Sequence, residues 1–249
     1  MSEIGKSIVR ENPDLVILAG DIHTGTQGAK WAREMFGYAN FPIIMTSGNH
    51  EYYSRKIDTL DAKIRAEIED MDHIHFLQNQ SVTIDGILFS GSTLWTDTNG
   101  GQTQPDAQRE EQIKMREGMN DYKKIRIAAQ GTYRKIKPAD TAFAHFTARG
   151  FLIETASAKP AGQPWVVITH HAPTMQAFKH HAAAEEEKFP HAAYASNMDK
   201  EIEFWNPNIW IHGHIHEPGH YATIGNTQMW NVAMGYPDEQ KSHFTIINI

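Results

Sequence analysis

The chain has no cysteine among its 249 residues. That absence excludes disulfide frameworks, thiolate zinc sites, iron–sulfur clusters and thiol nucleophiles, so any metal must be held by nitrogen and oxygen. Long apolar runs are also absent: Leu15 to Ala19 and Trp165 to Ile168 fall far short of the roughly 20 residues that cross a bilayer, and no membrane span is expected. The opening residues Met1 to Lys6 contain no apolar secretory run, which together with the missing cysteines favours the cytoplasm. Nor is there a surplus of positive charge. Lys and Arg number 23 against 30 Asp and Glu, a net charge of −7, which argues against a general nucleic-acid partner. Histidine, by contrast, is abundant, with 15 residues.

The length suits a single α/β domain over 1–249. Ser2 to Asn12 reads as a helix stopped by Pro13, and Leu15 to Ala19 as a buried strand ending at Gly20-Asp21. A helix over about 28–36, a strand at Ile43 to Thr46 and a helix over 55–70 follow, which predicts parallel strands joined by crossovers. Residues 81–84 and 87–90 form a hairpin about Asp85-Gly86, with Gly91 to Trp95 prolonging its second strand. Residues 97–137 read as an inserted loop and helix. Asp140 to Ser157 is helical, Val166 to Thr169 is a strand ending in His170-His171, and Ser196 to Phe204 is helical. Ile209 to Ile211 is a strand ending in Gly213-His214-Ile215-His216. Residues 221–224, 227–232 and 244–249 read as antiparallel strands. His180, His181 and His191 are expected to be exposed loop histidines, and Glu185 to Glu187 a solvated helix face.

Four apolar strands thus end in polar clusters: Gly20-Asp21, Gly48-Asn49-His50-Glu51, His170-His171 and Gly213-His214-Ile215-His216. In α/β sheets the carboxyl ends of strands converge on the ligand crevice. Asp, Asn and His are the donors a divalent cation needs in a protein without thiols. Singly, Asp21 reads equally as a helix cap, Asn49 as a turn residue and His170 as a satisfied strand-end histidine. The joint pattern describes a metal site.

In this order and at these strand ends the motifs resemble the calcineurin-like metallophosphoesterases, and the likeness extends to Trp95-Thr96-Asp97 after the hairpin. The resemblance implies a four-layer αββα sandwich of two mixed β-sheets flanked by helices. It implies two divalent ions, Mn, Fe or Zn, with Asp21, Asn49, His170 and His214 on one and Asp21 and His216 on the other. It further implies hydrolysis of a small phosphomonoester or phosphodiester by a metal-bridging hydroxide, with His50 as general acid or cationic stabiliser.

The family's first motif, Asp-x-His on an opening strand, has no counterpart before Asp21, so the opening strand is expected to be missing. Asp21-Ile22-His23 spells the motif, but no second Gly-Asp segment follows it before Gly48. Two consequences are expected: only one metal in this chain as the alternative to two, and unpaired strand edge that a second copy or a strand-donating partner would cover. The alternative function is a catalytically impaired module of the same fold acting in protein binding. His23 is a candidate for the depleted site or the substrate, and His171 for phosphate contact or a loop cap. Asn120, Asp121 and Tyr122 are read equally as substrate wall or as core and caps.

Overall fold

A strand that is apolar at every position must be covered on both faces. The structure, a computed structural model, describes residues 2–178, 190–236 and 244–249 and shows what covers them. In the first sheet β1 (Val16–Ala19) runs parallel to β2 (Ile43–Thr46), and β2 parallel to β3 (Ile74–Phe76). Val16, Leu18, Ile43 and Met45 point outward into a cluster with Phe36 of α2 (Gln27–Phe36) and Leu60 and Ile64 of α3 (Ile57–Glu67). Ala19 and Ile44 point the other way and meet Phe89, Val166, Ile168, Ile209 and Ile211 of the second sheet.

That second sheet is mixed and six-stranded, in the order β10-β11-β9-β8-β5-β4. Its strands are β4 (Gln80–Ile84), β5 (Ile87–Ser92), β8 (Trp165–Thr169), β9 (Ile209–His212), β10 (Gly219–Ile224) and β11 (Thr227–Asn231). Trp165, Val167 and Trp210 pack outward on Leu152 of α6 (Pro138–Ala158) and on Ile202 and Trp205 of α7 (Asp199–Trp205). The layers run helix, sheet, sheet, helix, the α/β sandwich that was expected. Each fully buried aliphatic side chain between them contributes about 1.5–3 kcal/mol.

Several local readings change. The strand β3 was not anticipated, since its middle residue is His75. The second hairpin strand stops at Ser92, because Leu94 and Trp95 adopt φ of 64° and 53° and leave the ladder. Residues 97–137 hold more than a loop and a helix: α4 (Pro105–Gly118), α5 (Asp121–Lys124) and a hairpin of β6 (Arg126–Ala129) and β7 (Thr132–Lys135). They dock through Met115, Met119, Tyr122, Ile125 and Ile136 onto the outer cluster of the first sheet. The hairpin β10–β11 forms as read, and β11 additionally pairs in parallel with β9. Residues 244–249 form no strand; Ile247 packs on the inter-sheet cluster without ladder bonds. His180, His181 and Glu185 to Glu187 lie outside the described residues. Among the described residues β1 is an edge strand of its sheet, and no helix is long and apolar enough to cross a membrane.

Candidate metal centre

The strands β1 and β2 come from one sheet, β8 and β9 from the other, and their carboxyl ends meet. Two of the loops leave their strands by left-handed residues, Asp21 at φ 57° and His214 at φ 65°, conformations that cost non-glycine residues energy and gather at functional sites. Close approach of the loops requires glycine at position 48. A Cβ there would fall on the Asp21 carboxylate, 2.6 Å from the Asp21 amide nitrogen and 2.7 Å from His170 Cε1.

One buried side chain ties the first two loops together. Glu51, 3% exposed, accepts backbone N–H bonds from Asp21 (2.9 Å) and Gly48 (2.7 Å) on Oε2, and from Ile22 (2.8 Å) and His23 (3.1 Å) on Oε1. Burial, and then the Asp21 charge, push the Glu51 carboxyl up, while the N–H donors of His23 and Gly48 oppose the rise. Asp21 is aimed in turn, since its Oδ1 accepts the His50 N–H at 2.8 Å.

The centre itself is a convergence of acceptors on His170. Its Nδ1–H donates to the Ala19 carbonyl at 2.9 Å, so Nε2 is the free ring atom. Around that Nε2 lie Asn49 Oδ1 at 3.0 Å, His214 Nδ1 at 3.1 Å and Asp21 Oδ2 at 3.3 Å. A proton on Nε2 can serve one of the three well, whereas a divalent cation between them serves all four atoms. His170 Nε2, a His214 nitrogen and an Asp21 oxygen lie within 4.8 Å of one another, and His214 Nε2 is buried with no hydrogen-bond partner among the described residues. The donor set fits a cation.

Asp21 is held down to about 2: burial works against its charge, but His170 and His50 together outweigh it, and Asp21 in turn holds the His170 pKa up against burial, so a cation entering the centre would take the place of a proton shared by this pair. Burial drives His214 well below its ordinary value, with His171 and His170 adding to the effect, so its imidazole is neutral, the form that binds metal. Burial and the neighbouring His170 lower His171 to about 3.

The structure therefore brings together Asp21, Asn49, His170 and His214. His50 stands at the rim, its Nε2 3.8 Å from Asp21 Oδ2 and its ring stacked on Tyr53 at 4.5 Å. His171 lies behind, with Nδ1 3.1 Å from the Thr93 carbonyl and its ring 4.4 Å from that of His214. His216 is outside the cluster of three, its ring edge-on to Tyr236 at 4.7 Å. His23 is exposed and its Nδ1 accepts the Thr24 N–H at 2.8 Å. For two groups the sequence reading left the role open or unstated, Asp121 having been read equally as substrate wall or as core and cap. Glu51 was visible inside the motif but without a stated role, and Asp121 comes from the inserted segment, 72 residues from the Asn49 it contacts. Two surface hollows of about 660 and 570 Å³, between α2 and α3 and on the β10–β11 hairpin, lie away from the centre.

A two-sheet α/β sandwich, with side chains able to hold a cation gathered at converging strand ends, is consistent with a metallophosphoesterase-type fold. The chain belongs to the calcineurin-like phosphoesterases, whose family model matches residues 2–218. That family comprises metal-dependent phosphoesterases. The phosphopantetheinyl hydrolase of Mycobacterium tuberculosis superposes with a TM-score of 0.68 at 17% identity, over 90% of this chain and 80% of that one. A protein of Acanthamoeba polyphaga mimivirus described as uncharacterized protein L509 is 24% identical over 213 residues, 80% of this chain and 70% of its own.

Proposed function

We propose that this chain hydrolyses a small phosphomonoester or phosphodiester with a divalent ion, Mn, Fe or Zn, held by Asp21, Asn49, His170 and His214. The observation that carries this reading is the meeting of three acceptor atoms within 3.3 Å of His170 Nε2. When bound, such an ion polarises phosphoryl oxygens and makes water a nucleophile at neutral pH. The chain's own residues do the rest. Glu51 fixes the β1 and β2 loops through four N–H bonds, so the Asp21 carboxylate is preorganised. His50, held by its backbone bond to Asp21 and stacked on Tyr53, presents Nε2 at the rim, where it donates a proton to the leaving oxygen. His216, whose ring meets Tyr236 as the His50 ring does, serves a second ion with Asp21. The measurement is turnover of p-nitrophenyl phosphate and bis-p-nitrophenyl phosphate by the Mn²⁺-loaded protein. Turnover in wild type with none in Asp21→Ala supports the reading; equal rates in both contradict it.

One observation favours a second reading. The cluster of ionisable ligands counts three residues and leaves His216 out, which suits one ion and a catalytically impaired module that binds a protein partner. Elemental analysis separates the two, at two metals per chain or one.

A further inference from the structure

Asn49 offers the centre an amide, and an amide has two faces. Only one orientation puts Oδ1 rather than Nδ2 toward His170 Nε2, and a rotation of the amide group by half a turn would place an N–H donor there and repel a cation. Something must set the orientation. Behind Asn49, Asp121 Oδ1 accepts the Asn49 Nδ2–H at 2.8 Å and the Tyr53 hydroxyl at 2.9 Å, and Asn49 Nδ2 also lies 3.3 Å from that hydroxyl oxygen. Asp121 is 2% exposed and, among the described residues, forms no salt bridge. A carboxylate so buried and so poorly neutralised is costly unless positive charge lies near. Its carrier is α5, in the segment 97–137, which docks on the first sheet through its neighbour Tyr122.

We infer that Asp121 is a positioning residue: it accepts the Asn49 Nδ2–H and so turns Asn49 Oδ1 into the centre, making the inserted segment part of the cation site. Tyr53 is the link to the rim, because the same ring that donates to Asp121 stacks on His50.

The inference rests on the proposed cation site, and the test keeps the two apart. Calorimetric titration of the full chain with Mn²⁺ compares wild type, Asp121→Leu and Asp121→Asn, with melting temperature as the control for folding. If wild type binds no Mn²⁺, the site itself fails, whatever Asp121 does. If wild type binds, Asp121→Leu is expected to bind about 10- to 100-fold more weakly, as for other partners of metal ligands, while Asp121→Asn, whose Oδ1 still accepts the amide N–H, recovers most of the affinity. Wild-type affinity in Asp121→Leu, or equal losses in both variants, overturns the inference. Should Asp121→Leu not fold, the exchange of groups decides. Asn49→Asp alone sets two carboxylates against each other and weakens binding. The double variant Asn49→Asp/Asp121→Asn restores donor and acceptor and recovers it, and no recovery overturns the inference.

Discussion

Replacing Glu51 by Gln changes one atom and should be among the most damaging conservative substitutions in the chain. Each carboxylate oxygen accepts two backbone N–H groups, from Asp21 and Gly48 on one side and from Ile22 and His23 on the other. Glutamine keeps one acceptor oxygen and turns an NH₂ toward the other pair of donors. Two N–H groups, at least one of them only partly buried, are then unsatisfied, at up to about 1–3 kcal/mol each, and the remaining two bonds lose the charge that strengthens them. Relief from burying a carboxylate offsets part of this, since Glu51 is only 3% exposed. The net expectation is a loss of about 2–4 kcal/mol. Urea unfolding followed by tryptophan fluorescence reads it as a lower midpoint with an unchanged slope. A Glu51→Gln protein within about 0.5 kcal/mol of wild type, the ordinary range of a surface substitution, would refute the idea that this side chain clamps the two loops.

Further expectations concern other parts of the molecule. Gly48→Ala drives a methyl into Asp21 and His170 and is expected to cost at least the roughly 1–3 kcal/mol of core overpacking, whereas Gly150→Ala, with open space around its Cβ in α6, is expected to gain about 0.5–1 kcal/mol in chemical denaturation. His145 is buried and its pKa is lowered chiefly by that burial, so it stays neutral in the fold and its stabilisation is present above 6.5 and lost as pH falls. His145→Leu should therefore flatten the fall of melting temperature between neutral pH and pH 5, by at most about 1.4 kcal/mol per pH unit, and an unchanged slope would count against it. Mn²⁺ at about 100 times its dissociation constant should stabilise wild type by about 2.7 kcal/mol, an increment abolished by EDTA and absent in His214→Ala.

The two layers of sheet were readable because Val16 to Ala19, Ile43 to Thr46, Trp165 to Thr169 and Ile209 to His212 alternate between two apolar surroundings, which leaves no polar face and makes each a continuous apolar run. Their polar ends were legible for the same reason: a run that stops abruptly at Asp21, Asn49, His170 or His214 marks where the sheet opens. β3 was hidden because three residues with a central His75 show no period. Residues 244–249 looked like a strand by composition, yet they form none, and Ile247 packs on the inter-sheet cluster. Asp121 was singled out as substrate wall or as core and cap, but its contact with Asn49 was not readable from local pattern, since the two lie 72 positions apart. His23 and His216 carry the right chemistry by type, but His23 is exposed and His216 stands outside the group of three, edge-on to Tyr236.

Crystals of the full chain grown with Mn²⁺ and measured at the manganese absorption edge locate the cation without reference to activity. The expected result is an anomalous peak bounded by Asp21 Oδ2, Asn49 Oδ1, His170 Nε2 and a ring nitrogen of His214. Side chains that hold the same positions around ordinary water, with manganese absent or bound elsewhere on the surface, would contradict a cation centre at these four strand ends.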